Sequence, residues 1–287
     1  MTARSLDGNA VAEQIMADLA ERSARLRAAG RPPGLGTILV GDNPSSSRYV
    51  EMKREDCAKV GIESVHAHLP AEISQQELES VIARFNADER VDAFLVQLPL
   101  PGELDEEAAL LAIDPAKDAD GLHPVNLGKL VMGGNGPLPC TPLGIVELLA
   151  AYDVPVEGRH VVIIGRGLTI GRPLSLLLTL KRPGCNAAVS VVHTGVPRQE
   201  MVLLCRQADV IVAAAGSPGI VEAGMVKPGA AVVGAGTTFE GRKLLSDVED
   251  DVGEVAGWLT PRLGGVGPMT RAMLLSNAVQ AAERALA

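Results

Sequence analysis

Aromatic side chains are scarce: three Phe, two Tyr and one Trp make up 2% of the chain. A core must therefore be built from Val, Leu, Ile and Ala, and a ring-stacking site has few candidates: Phe85, Phe94, Phe239, Tyr49, Tyr152 and Trp258. Cysteine is also thin. Cys57, Cys140, Cys185 and Cys205 stand far apart with no CxxC pair, which argues against a disulfide framework or a zinc site. No run of 18 apolar residues exists, so nothing reads as a membrane span. The opening MTARSLDGNAVAEQ has no long apolar stretch after its basic residue, so no secretory signal is expected. A basic excess is missing too: 26 Lys and Arg against 35 Asp and Glu give a net charge of −9, which speaks against a nucleic-acid binder. With 47% apolar and 21% charged residues, wholesale disorder is excluded. These exclusions describe a cytoplasmic, enzyme-sized protein. At 287 residues it is long enough for two domains.

Apolar periodicity then gives the organisation. Val11, Ile15, Leu19 and Leu26 share a helical face within residues 8–29, stopped by Gly30 and Pro32-Pro33. Residues 35–40 read as a buried strand, 45–60 as a helix and 62–69 as a second strand. A capping box at Ser74-Gln75-Gln76-Glu77 opens a helix to about Phe85, and 92–98 is a third strand. Strand and helix alternate at the spacing of an α/β domain with a mostly parallel sheet. Gly133 to Pro137 is the best internal break. Thr141-Pro142 reads as an N-cap with proline at the first helical position, leading to Tyr152. A second α/β series follows: strands at 160–164, 187–192, 209–215 and 230–234, and helices at 171–180 and 198–207. Ala272, Leu275, Val279, Ala282 and Leu286 mark a last helix, expected to pack back on the first domain. The expected division is 1–140 with 268–287, and 141–267.

The apolar strand His160–Ile164 runs into Gly165-Arg166-Gly167-Leu168-Thr169-Ile170-Gly171 and then a helix. Glycines let a backbone approach a pyrophosphate, and a helix N-terminus offers N–H groups and partial positive charge. The spacing, GxGxxxG, is one residue longer than the usual fingerprint; the bland alternative is an ordinary tight βα turn. NAD sites usually carry a carboxylate at the end of the second strand. Here that strand ends Val192-His193-Thr194, while Arg166 sits in the glycine turn and Arg198 lies near the strand end. A cation and a hydroxyl suit a 2′-phosphate, so NADP is read over NAD.

In the first domain, Tyr49 and Lys53 are one helical turn apart and so are neighbours. A partly desolvated lysine beside a phenol can act as acid or base; the alternative is a solvated helix face. Gln97 ends an apolar strand, where parallel sheets place ligands. Lys117 to Gly121 forms a charged turn ahead of His123-Pro124.

Six motifs occur in order: YVxxK from Tyr49, VQLPLP from Val96, KDADG from Lys117, PCTP from Pro139, the Gly165 turn, and GGVGPMT from Gly264. Together they resemble the bifunctional methylenetetrahydrofolate dehydrogenase/methenyltetrahydrofolate cyclohydrolase family over essentially the whole chain. The resemblance implies a two-domain α/β homodimer with a Rossmann-type NADP domain and folate in the cleft between domains. It implies oxidation of methylenetetrahydrofolate with NADP, then hydrolysis of the methenyl cation to 10-formyltetrahydrofolate. Lys53 resembles the family's catalytic lysine, Tyr49 its partner that stacks on folate, Gln97 the glutamine bonded to that lysine, and Asp120 the carboxylate that holds the pterin. Leu98, Gly265 and Pro268 fall on substrate positions. Gly165, Arg166, Gly167, Thr194 and Thr237 fall on cofactor positions. Departures from the family pattern are Gly167 for Ser, Leu263 for Pro, Gly234 for Asp and Thr237 for an apolar residue.

Elsewhere the plain readings are preferred. His66 and His68 share one strand face with no third ligand, so they read as a solvent-facing pair and no metal is expected. Asp247 to Asp251 reads as a solvated acidic loop or helix start. A plain NADP dehydrogenase of another small molecule, or a non-enzymatic NADP-binding protein, are the competing readings. The first does not account for Tyr49, Lys53, Gln97 and Asp120 together; in the second, the departures from the family pattern signal decay.

Overall fold

The computed structural model describes residues 2–240 and 243–286, without the side chains of Ser45, Phe239 and Lys243. Two compact units emerge. The first comprises Glu13–Leu138 and Arg271–Ala287, the second Met1–Ala12 and Pro139–Thr270. The sequence assigned the opening residues to the first domain. They join the second because β1 (Arg4–Ser5) pairs in parallel with a strand at Trp258–Leu259. The division passes through α1 (Gly8–Ala28) and the last helix.

The first unit is built on β2 (Gly34–Val40), buried along its whole length. After α2 (Pro44–Val60) the chain forms β3 (Glu63–Leu69), and after α3 (Gln75–Ala87) it forms β4 (Ala93–Val96). All pairings are parallel, in the order β3-β2-β4. Parallel pairing needs a helical crossover after each strand, which is what α2 and α3 supply. The expected capping box is present: Glu77 N donates to Ser74 Oγ at 3.2 Å and Ser74 N to Glu77 Oε2 at 2.7 Å. Leu78, Val81, Ile82 and Phe85 of α3 pack on Ile38, Val40, Phe94 and Val96 of the sheet. Two short helices, α4 (Glu106–Leu111) and α5 (Pro124–Val131), were not foreseen in the sequence. At 6 and 8 residues they are too short to display a sustained helical period.

The second unit opens with α6 (Cys140–Ala151). Thr141 is not its N-cap. Pro139, at φ −54° and ψ 124°, holds the cap backbone extended and starts the helix earlier. Pro142 falls in the first turn, where N–H groups have no helical acceptor in any case. Thr141 Oγ1 instead lies 3.0 Å from Thr270 Oγ1. Then come β5 (His160–Ile164), α7 (Gly171–Thr179), β6 (Ala188–Val192), α8 (Arg198–Gln207), β7 (Val210–Ala213) and β8 (Ala231–Gly234). A hairpin of β9 (Thr237–Glu240) and β10 (Lys243–Ser246) precedes β11 (Trp258–Leu259) and α9 (Val266–Leu286). The main sheet is wholly parallel, ordered β1-β11-β8-β7-β5-β6. From β5 the chain first adds β6 on one side, then crosses to β7 on the other. That reversal is a topological switch point, where open α/β sheets bind ligands.

The C-terminal part of α9 packs in the first unit, as expected. Arg271 Nε donates to buried Asp56 at 2.7 Å, Arg22 pairs twice with Glu283, and Asn277 Nδ2 donates to Ala119 O at 2.9 Å. All four cysteines are buried. Among the described residues no helix is long and apolar enough to cross a membrane.

Candidate active site

In the first unit α2 buries Val50, Asp56, Cys57 and Val60, which leaves Tyr49 and Lys53 on its flank. Tyr49 is half-exposed at 50%. Of the other aromatic candidates, Phe85 and Phe94 are core residues 5.5 Å apart, and Tyr152 exchanges hydrogen bonds with the Asp7 backbone. Trp258 belongs to a strand, and the Phe239 side chain lies outside the described residues. Tyr49 is thus the ring beside Lys53 that stands open to a planar ligand.

Lys53 Nζ donates to Gln97 Oε1 at 3.0 Å. Gln97 is held in turn, because its Nε2 donates to Leu98 O at 2.7 Å and its backbone N–H to Ile38 O at 2.8 Å. Leu98 is 43% exposed, and the Leu98–Pro99 peptide is cis. The amide of Gln97 therefore presents its oxygen to the lysine and cannot turn its nitrogen there without losing both bonds.

Asp120 follows a strand-like leg. Phe94 N donates to Lys117 O and Ala119 N to Phe94 O, so the KDADG segment runs alongside β4. Buried Asp118 fixes the turn, accepting from Gly121 N at 3.0 Å, His123 N at 2.8 Å and Asn126 Nδ2 at 2.9 Å. Asn277 holds Ala119 from α9. Burial pushes the Asp120 carboxyl above its usual range; the nearby Lys53 opposes this and Asp118 adds to it. The structure thus brings Lys53, Gln97 and Asp120 together. Lys53 acts electrostatically on Asp120, and a half-buried carboxylate near a lysine held by an amide oxygen is equipped to bind N–H groups and move a proton. The sequence did not show Asp118, Asn126 and Asn277 as supports. Asp118 lies inside KDADG but its type does not announce a turn-holding role, while Asn126 and Asn277 stand outside the quoted motifs and reach Pro115 O, Asp118, Ala119 O and Leu138 O from a distance in sequence.

In the second unit Gly165 sits at φ +124°, and a Cβ there would lie 2.2 Å from Ala214 O. A Cβ on Gly171 would lie 2.2 Å from Gly165 O. These two glycines let strand, turn and helix close on one another. Gly167 is different: nothing stands within 4 Å of its missing Cβ. Arg166 and Thr194 are exposed, and Arg166 makes no ion pair among the described residues. Arg198 is committed elsewhere, to Ile220 O at 2.9 Å and Glu222 at 2.6 Å, so it is not an idle cation at the strand end. Thr237 is exposed at the start of β9. Gly265 precedes α9 and Pro268 lies in its first turn, both in the second unit; their assignment to folate rests on the resemblance.

The departure at Gly234 has a local account. A Cβ there would meet Ser246 Oγ at 3.1 Å, Val248 Cγ2 at 3.3 Å and Thr260 Oγ1 at 3.5 Å, and Gly234 N donates to Thr260 Oγ1 at 2.8 Å. Its neighbours fill the room a larger residue would use. In the acidic run Glu249, Asp250 and Asp251 are exposed at a helix start, as expected, and only Asp247 is corrected. Asp247 is fully buried and accepts backbone N–H groups, and Asp250–Glu254 form a 3-10 turn. His66 and His68 are exposed, bonded to Thr37 Oγ1 and Gly41 O respectively. Among the described residues no group of three or more His, Cys, Asp or Glu is placed to hold a metal.

Known proteins resemble this chain over nearly its whole length. A family model described as tetrahydrofolate dehydrogenase/cyclohydrolase, catalytic domain, matches residues 6–120. Its companion, the NAD(P)-binding domain, matches residues 139–286. The bifunctional protein FolD of Syntrophotalea carbinolica is 56% identical over 283 residues, covering 99% of this chain and 97% of that protein. A crystal structure of the FolD enzyme from Campylobacter jejuni superposes with a TM-score of 0.94 at 41% identity, covering 99% of each chain. FolD of Trypanosoma brucei, solved with NADP and an inhibitor, gives 0.92 at 39% identity, covering 100% of this chain and 99% of that one.

Proposed function

Because the chain belongs to the tetrahydrofolate dehydrogenase/cyclohydrolase family, we propose that it oxidises 5,10-methylenetetrahydrofolate with NADP and then hydrolyses the methenyl product to 10-formyltetrahydrofolate. The observation that carries this reading is the Lys53–Gln97 hydrogen bond beside Asp120, on the unit that matches the catalytic domain.

The glycine turn fits a dinucleotide. Gly165 and Gly171 pack the turn tightly, Gly167 leaves its outer side open, and exposed Arg166 supplies positive charge for a 2′-phosphate. When bound, NADP accepts the hydride. The chain's part in that step is alignment, because hydride transfer calls mainly for two rings held in register. Tyr49 offers the folate a stacking face, and Asp120 accepts N–H groups from the edge of the pterin.

Hydrolysis asks more of the protein. Water must add to the methenyl carbon and lose a proton, and the departing ring nitrogen must gain one as its bond to that carbon breaks. Lys53 is the group to pass that proton. The Gln97 oxygen fixes the direction of one ammonium hydrogen and so orients the amine. The reading also takes the protein as cytoplasmic and as a homodimer. In support of the dimer, β3 pairs only with β2 among the described strands, leaving an open edge.

Purified protein incubated with methylenetetrahydrofolate and NADP should produce methenyl absorbance and NADPH. Given methenyltetrahydrofolate alone, it should bleach that absorbance. Failure of both reactions would overturn the proposal.

A further inference from the structure

Asp247 stands at the end of the β9–β10 hairpin and is fully buried. Its Oδ2 accepts from Ala215 N at 2.7 Å and from Gly216 N at 2.9 Å, while Oδ1 is buried with no hydrogen-bond partner among the described residues. A buried carboxylate with one idle oxygen is expensive. What it secures is a single loop, the segment that leaves the C-terminal end of β7. The same loop is tied a second time, by Thr238 Oγ1 to Gly216 O at 3.1 Å. Gly236 completes the cradle: a Cβ there would lie 2.0 Å from Oδ2, so only glycine leaves the carboxylate its place.

The loop is not remote from the glycine turn. Ala214 N donates to Ile164 O at 2.8 Å, and Ala214 O is the atom against which Gly165 closes. β5 and β7 are adjacent strands on either side of the chain reversal, so the Gly165 turn and the Ala214–Ser217 loop form the two walls of the switch point. Ala215, Gly216 and Ser217 are exposed there.

We propose that Asp247 is a positioning residue for NADP: its carboxylate holds the Ala215–Gly216 backbone as the second wall of the dinucleotide site, and Gly236 is small so that it can. The inference rests on reading the glycine turn as the NADP site. Asp247 touches neither cofactor nor substrate, so its effect passes through the loop alone. An acceptor oxygen is what the loop needs, and asparagine supplies one.

Three variants test this: Asp247→Asn, Asp247→Ala and Gly236→Ala. NADPH binding is titrated by fluorescence, and KM for NADP, KM for methylenetetrahydrofolate, kcat and cofactor-free cyclohydrolase activity are measured on the same preparations. Asp247→Ala and Gly236→Ala should weaken NADPH binding and raise KM for NADP by about tenfold or more, while cyclohydrolase and the folate KM stay within about twofold. Asp247→Asn should stay within about threefold of the parent throughout. The proposal is overturned if Gly236→Ala binds NADPH as the parent does, or if Asp247→Asn is as weak as Asp247→Ala. It is equally overturned if cyclohydrolase falls in step with NADPH binding in Gly236→Ala. A parent protein that binds NADPH yet performs neither reaction would sink the assigned function and leave this inference standing.

Discussion

Lys53 on α2 and Gln97 at the end of β4 are 44 residues apart in sequence and 3.0 Å apart in space, amine to amide oxygen. The contact exists because β4 pairs beside β2, and α2 is the crossover that leaves β2. The parallel sheet therefore delivers the helix flank and the strand end to the same edge. Gln97 has spent its nitrogen on its own neighbour's carbonyl, so the oxygen it offers the lysine is fixed.

Replacing Lys53 with Met keeps most of the side-chain volume and removes the amine. General acid–base help is worth about a hundred- to ten-thousand-fold, so cyclohydrolase should fall by that order. Dehydrogenase activity should persist at a reduced rate, with methenyltetrahydrofolate accumulating. Stopped-flow absorbance follows both steps; parental hydrolysis by Lys53→Met would remove the lysine from the mechanism.

Asp120→Asn should separate stability from binding. Burial holds this carboxyl above its ordinary 3.8, with Lys53 in opposition and Asp118 adding to the shift. A raised value in the fold means that the charged form is disfavoured there. The penalty is absent below about pH 3.8, sets in as pH rises through that value, and is complete above the raised one. The variant should melt higher than the parent at pH 7, with the two converging toward about pH 3. Folate KM should worsen and NADPH titration should not change. Equal losses for folate and NADPH would refute the assignment to substrate.

Arg166→Ala should discriminate between cofactors. A charge-assisted bond to phosphate contributes about 1.5–3 kcal/mol, so NADP affinity should drop roughly ten- to a hundred-fold while NAD binding changes little. Isothermal titration with both nucleotides decides the matter. An equal loss for each would mean that Arg166 only shapes the turn.

Gly171→Ala should cripple the dinucleotide site without touching the folate unit. The added methyl would come 2.2 Å from a backbone oxygen that has no side chain to move aside, so α7 must shift from the turn. NADPH affinity should fall more than about tenfold. Cyclohydrolase measured without cofactor should hold, and a parental NADPH titration would contradict the packing argument.

The sequence displayed what steric need or helical spacing writes into neighbouring positions. Gly165 and Gly171 advertise a tight turn because only glycine closes it, and Tyr49 and Lys53 advertise a shared flank because they are four apart. The α/β alternation was legible for the same reason, since buried parallel strands are continuous apolar runs. Residues acting across long separations were not legible. Asp247 sits among acidic neighbours and looks solvated, yet its partners lie some thirty positions earlier. Arg198 looked available for phosphate because its partner Glu222 lies 24 positions later. Two-residue strands such as β1 and β11 carry no period at all, so the opening residues could not be assigned to the unit they complete.

The placement of β1 makes the order of synthesis matter. Arg4 and Ser5 leave the ribosome about 250 residues ahead of Trp258 and Leu259, the residues they pair with. That edge of the six-stranded sheet therefore closes only after Trp258 and Leu259 have emerged. A nascent or truncated chain ending before Trp258 leaves its own beginning without a ladder.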